Sequence, residues 1–193
     1  MDVDAGYVSR VLAVLEQEIL LTRTPRGPVT AVEWEGVLRR CAATYSLFDS
    51  NPTSTWVATG GPERFLADLA GKRAGEWAIT GSFAAARLAP VAAPEIAVLY
   101  AEDVDRLTRA GRLLPTTRGA NVIVAEPYDA IVFDRTVIEG SETYVSVVQV
   151  AMDSRTGNAR MPAEGEAVIA WMRKNEPRWR TGRLQPRRTK RSA

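Results

Sequence analysis

From residue 53 to residue 175, short runs rich in β-branched and aromatic residues alternate with segments that repeat their apolar residues every three or four positions. That alternation constrains the fold more than any other feature of the chain. "TSTWVAT", "EWAIT", "EIAVLYA", "ANVIVAE", "AIVFDRTVI" and "SETYVSV" read as strands, and "PERFLADLAG", "SFAAARLA", "EDVDRLTRAG" and "EGEAVIAWMRKN" as helices. Pro62 stands at a first helical position, and Gly71 and Gly111 stand where helices close. Strand and helix in turn predict a mixed α/β sheet with helical cover, in a domain over 51–177.

Ahead of that domain the pattern changes. "DAGYVSRVLAVLEQEIL" reads as a helix with Asp4 as N-cap and with Val8, Val11, Leu12, Leu15 and Ile19 on one stripe. Residues 20–24 and 29–32 are β-prone and flank Pro25, Arg26, Gly27 and Pro28, which predicts a hairpin with a basic tip. "EWEGVLRRCAATY" follows as a second helix with Trp34, Val37, Leu38, Cys41 and Tyr45 on one face. "SLFDSNPTS" has the composition of a connector, which puts a boundary near Asn51 and makes 1–50 a domain of its own. Helix, basic-tipped hairpin and helix, in that order, are the back half of a winged helix-turn-helix. The chain therefore reads as α+β: a partial winged helix followed by the α/β domain.

In a winged helix the recognition helix enters the major groove by its N-terminal residues, and hairpin residues touch phosphate. Tyr7, Ser9 and Arg10 stand at the front of the first helix, and Arg23 and Arg26 on the wing. Arginine suits both places, because its planar fork holds phosphate or guanine bidentately. Two helices precede the recognition helix in such domains and only residues 1–3 do here, so the expected domain is a shortened one. Winged helices also bind proteins, and Glu16, Glu18, Glu33 and Glu35 oppose attraction to DNA.

Charge is unevenly spread. Of 25 basic residues, seven fall from Arg178 to the end with no acid among them, leaving 18 basic against 23 acidic residues elsewhere. The stretch 178–193 reads as a solvated, disordered tail, in which Arg187, Arg188, Lys190 and Arg191 are candidate DNA contacts. A solubilising terminus is the other reading of it. The chain has no histidine, which removes Ser-His-Asp triads, Cys-His pairs and His-based zinc sites. Its single cysteine, Cys41, cannot form an internal disulfide and is expected to be buried and inert. That cysteine usage, an acidic N-terminus and no apolar run near the roughly 20 residues of a bilayer span predict a cytoplasmic protein without a membrane partner.

"WAITGSFAAARLAP" contains a strand, a Thr-Gly-Ser turn and a helix, the shape in which nucleotidyltransferases hold a triphosphate. That chemistry needs two carboxylates at i and i+2 on a neighbouring strand, where they share a face and hold metal. Glu95 stands at the first position, but Ala97 and Leu99 follow it on the same face. The turn is therefore expected to be a tight corner, permitted by Gly81 and capped by Ser82, with no catalysis, metal or cofactor.

"WAITGSFAAARLAP", "IAVLYAEDVDRL", "GANVIVAEPYDAIVFDRT" and "SVVQVAMDSRTGNARMPAEGEAVIAWM", in that order, resemble the C-terminal domain of AbiEi-type antitoxins, the transcriptional regulators of type IV toxin–antitoxin systems. With the winged-helix segment the resemblance covers residues 5–179. It implies a two-domain DNA-binding regulator that represses its own operon, its N-terminal domain binding operator repeats and its C-terminal domain supporting repression. The C-terminal domain, similar to a degenerate nucleotidyltransferase-like fold, would counteract a nucleotidyltransferase toxin that is a separate protein. A catalytically degenerate nucleotide-binding domain and a protein-binding module without DNA binding are the alternatives.

Overall fold

The computed structural model describes residues 4–25, 27–69 and 71–180, and the chain divides into two compact units, Met1–Thr44 and Tyr45–Ala193. Arg26, Arg187, Arg188, Lys190 and Arg191 lie outside the described residues.

In the first unit the Asp4 carboxylate accepts the Tyr7 backbone N–H at 2.9 Å and starts α1 (Ala5–Gln17) as its sequence predicts. The helix is turned off at Ile19, whose φ of 59° is left-handed, and the Leu20 N–H returns to the Leu15 carbonyl at 2.8 Å. β1 (Leu21–Arg23) and β2 (Val29–Val32) then pair antiparallel, and α2 (Trp34–Ala42) closes the unit. Among its described residues only Leu21 and Leu38 are buried. Cys41 is exposed, contrary to expectation, because that small core takes in Leu38 and leaves the next turn of α2 uncovered.

The second unit is built on a seven-stranded mixed sheet. Its strands are β3 (Thr53–Val57), β4 (Trp77–Thr80), β5 (Ala97–Ala101), β6 (Leu114–Pro115), β7 (Val122–Ala125), β8 (Val137–Glu139) and β9 (Glu142–Tyr144). They lie in the order β6-β3-β7-β5-β4-β9-β8, with β5/β7 and β4/β9 parallel and the other pairs antiparallel. The helices are α3 (Pro62–Leu69), α4 (Gly81–Leu88), α5 (Val104–Gly111), α6 (Val147–Arg155), α7 (Met161–Lys174) and α8 (Glu176–Trp179). All five residues of β5 are buried, which requires cover on both faces of the sheet. α4 lies against β4 and β5 and α6 against β4, α7 packs on α4 and α6, and α3 packs on β5 and α5. Mixed α+β architecture is thus the observed class.

Four local expectations change. Residues 130–138 are not one strand: the Asp129 carboxylate accepts the Ile131 N–H at 2.9 Å and caps a 3₁₀ turn, Ala130–Phe133, which buries Val132 and Phe133 ahead of β8. The run "SETYVSV" stops being strand at Tyr144, and Ser146 caps α6, its hydroxyl accepting the Gln149 N–H at 3.3 Å. The expected tail starts too early. Arg178 and Trp179 belong to α8, where the Trp179 indole donates to the Met172 carbonyl at 2.9 Å and the Arg178 guanidinium lies 5.6 Å from the Trp171 ring. Gly111 does not supply a left-handed closure; Arg112 does, with φ 54°. A Cβ on Gly111 would stand 2.5 Å from Phe65, so its smallness serves the packing of α5 on α3.

Candidate functional site

Tyr7, Ser9 and Arg10 are all exposed on α1, Tyr7 by 55%. Arg23 is brought down from the hairpin onto Glu16 of α1, its Nε donating to the carboxylate at 2.7 Å. Arg40 likewise donates to Glu18 at 3.0 Å. Residues 1–44 hold five basic against six acidic side chains, so this unit carries no net positive field. α1 also leaves apolar surface in solvent: Val8, Val11 and Val14 are each about two-fifths exposed, and Ile19 is 85% exposed.

The Thr-Gly-Ser turn is closed. Thr80, Gly81 and Ser82 are all buried. The Thr80 hydroxyl donates to Asp153 at 2.6 Å, and the Ser82 hydroxyl donates to Glu164 at 2.6 Å. Ser82 is therefore not the helix cap: α4 already begins at Gly81, and the hydroxyl is drawn away to α7. Gly81 has φ 62°, and a Cβ there would meet Met161 and Val98 at 3.2 Å. Both hydroxyl protons at this turn are given to carboxylates, so neither hydroxyl is a free donor to a phosphate. Gly81→Ala is expected to lower stability by about 2 kcal/mol, from left-handed strain and overpacking together, read as a lower urea midpoint at constant m.

Glu95 does not reach the strand. It precedes β5 with its side chain 82% exposed and stands 3.8 Å from Arg160. Its same-face successors Ala97, Leu99 and Ala101 are fully buried and apolar. Among the described residues no group of three or more acidic or cysteine side chains is placed to hold a metal.

What the fold assembles instead is a buried carboxylate with neutral donors. Asp153 of α6 is fully buried. It accepts from Tyr45 at 2.6 Å, Thr80 at 2.6 Å, Gln149 at 2.8 Å and Tyr100 at 3.1 Å. The Tyr45 and Tyr100 hydroxyls lie 2.7 Å apart. Each phenol has one proton, so with Tyr45 donating to Asp153, Tyr100 shares its own between the carboxylate and Tyr45. Burial pushes the Asp153 carboxyl up to about 6, against the pull of its four hydrogen bonds. Burial beside that carboxylate also raises both tyrosines well above their ordinary value.

Glu164 of α7 is a second buried carboxylate, 3% exposed, but a paired one: it accepts from the Ser82 hydroxyl and forms an ion pair with Arg160 Nε at 3.2 Å. Neither carboxylate stands out in the sequence. The available signal was the Ser146-x-x-Gln149 box, which marks a helix start and would have put Gln149 and Asp153 on one face of it.

No protein-family model, curated protein or solved structure matches the chain. The likeness to AbiEi-type antitoxins rests on the order and character of the quoted segments alone. Among the described residues no helix is long and apolar enough to cross a membrane.

Proposed function

We propose that this chain is a DNA-binding transcriptional regulator with an antitoxin-like second unit, working in the cytoplasm and not as an enzyme. The observation that carries the reading is the exposed front of α1, where Tyr7, Ser9 and Arg10 project from a helix followed by a hairpin and a second helix. A helix so presented is the element that winged-helix proteins lay in the major groove. The pairing of Arg23 with Glu16 leaves α1, and Arg10 in particular, as the main contact in this reading. The absence of catalysis is supported by the turn, whose hydroxyls both serve buried carboxylates, and by the apolar face of β5. The second unit then acts by binding, with DNA-bound copies or a nucleotidyltransferase toxin as its partner.

The test is fluorescence anisotropy of the full chain with a labelled duplex from upstream of its own gene. Binding is expected at low salt, falling with a log–log slope of about −0.9 for each phosphate contacted. Arg10→Ala is expected to weaken it by about tenfold, against a much smaller effect for Arg23→Ala. No binding at low salt would reject the reading for this chain.

One observation favours a second reading. The exposed apolar residues of α1, Val8, Val11 and Val14, with Ile19 just beyond its end, suit a protein partner. In that case Val11→Asp abolishes co-purification with the product of the neighbouring gene, and Arg10→Ala leaves it unchanged.

A further inference from the structure

Residues 46–54 have the composition of a solvated tether, with Ser46, Asp49, Ser50, Asn51 and Pro52 in close succession. They are not held like one. Tyr45 donates to Asp153 and receives Gln149 Nε2 at 3.2 Å. The Leu47 N–H donates to the Thr156 hydroxyl at 3.2 Å, and the Leu47 side chain is completely buried. Asn51, 3% exposed, donates to the Leu47 carbonyl at 2.8 Å and accepts the Tyr128 N–H at 2.9 Å. Gln149, Asp153 and Thr156 follow one another at i, i+4 and i+7 and so share a face of α6. That face makes three polar contacts to the first residues after α2.

We infer that the Gln149–Asp153–Thr156 face of α6 is a latch, which fastens residues 45–51 to the second unit and so sets the length of free chain joining it to the first. With the latch closed, only Ala43 and Thr44 separate the end of α2 from the first fastened residue. With it open, free chain runs from Ala43 to the start of β3 at Thr53. The joining segment grows from two residues, whose N–H groups are held by the Arg39 and Cys41 carbonyls, to one with a root-mean-square reach of about 17 Å. Since effective concentration falls steeply with tether length, a two-unit binder works differently in the two states. Opening breaks the bonds of Tyr45 and Leu47 to Gln149, Asp153 and Thr156 and that of Asn51 to the Tyr128 N–H, and it exposes the buried Leu47 and Asn51, while the sheet and the α6–α7 pair stay intact.

The contacts that carry the inference all lie within the second unit, and its test uses no DNA, so it can fail or hold separately from the regulator reading. Amide hydrogen exchange is followed on the full chain. Tyr45→Phe with Thr156→Val is expected to speed exchange of the Asp49 and Ser50 amides at least tenfold, with amides of β5 and α7 unchanged. Tyr45→Phe alone, which keeps the ring, gives a smaller change at the same amides. Thr80→Val is the control: it removes a hydroxyl from the same carboxylate without touching the connector, and it leaves Asp49 and Ser50 protected. The latch is overturned by unchanged exchange at Asp49 and Ser50 in the double variant. It is equally overturned by uniform acceleration across the unit, or by Thr80→Val opening the segment as much as Tyr45→Phe.

Discussion

The stability of wild type relative to Asp153→Asn is expected to fall by about 2 kcal/mol as pH rises from 4 to 7. Asp153 titrates near 6 in the folded chain and near its ordinary value of 3.8 when unfolded. Between those values the folded state keeps a proton that the unfolded state has released, so rising pH favours unfolding. Below the lower value both states are protonated and the cost vanishes; above the upper value it is fully present and constant. Burial is the cause, since all four donors holding the carboxylate are neutral and none repays the loss of water as a cation would. The asparagine variant keeps the shape, and the Thr80 hydroxyl can turn to accept its amide. Urea unfolding followed by tryptophan fluorescence, at intervals from pH 4 to 8, gives both curves. A constant difference between them across that range would mean that Asp153 is not held as described.

Gly165→Ala is expected to lower the stability of the second unit by about 3 kcal/mol, although alanine is the better helix former by about 1 kcal/mol. A Cβ on Gly165 would lie 2.6 Å from the backbone N and 2.9 Å from the Cα of Arg155. Those are main-chain atoms of α6, so no rotamer change relieves the contact and the two helices must separate. Gly165 follows Glu164 on α7, and Arg155 on α6 is two residues beyond Asp153, so separation strains both buried carboxylate centres. A variant as stable as wild type in urea would show that α6 and α7 tolerate a wider spacing, and would remove the close crossing from this account.

Elements whose signals are local were legible. The Asp4 cap, the hairpin around Pro25, the short helix from Pro62 and the strand–turn–helix at Gly81 all stand where pattern and turn chemistry predict them. α6 was hidden because Val145, Val147, Val148 and Val150 raise β-propensity across its start, and Ser146 with Gln149 overrides it. The short β6 pairs with β3 by tertiary contact, and Leu114 and Pro115 have no strand signal of their own. The exposed front of α1 follows from helical period, but the neutralisation of Arg23 by Glu16 depends on how the hairpin folds back.

The sequence by itself determined the main periodicities, the Asp4 cap and the corner at Gly81, because each is set by residues within one or two turns of one another. It also excluded histidine chemistry outright. Only the tertiary structure decided what the turn's hydroxyls do and why residues 45–51 are not a loose tether. Asp153 meets Tyr45, Thr80 and Tyr100 across 108, 73 and 53 positions, and Ser82 meets Glu164 across 82. Partners so far apart leave no local pattern. A carboxylate on a helix reads as solvated surface until the sheet, α4 and α7 close over it and leave neutral hydroxyls as its donors.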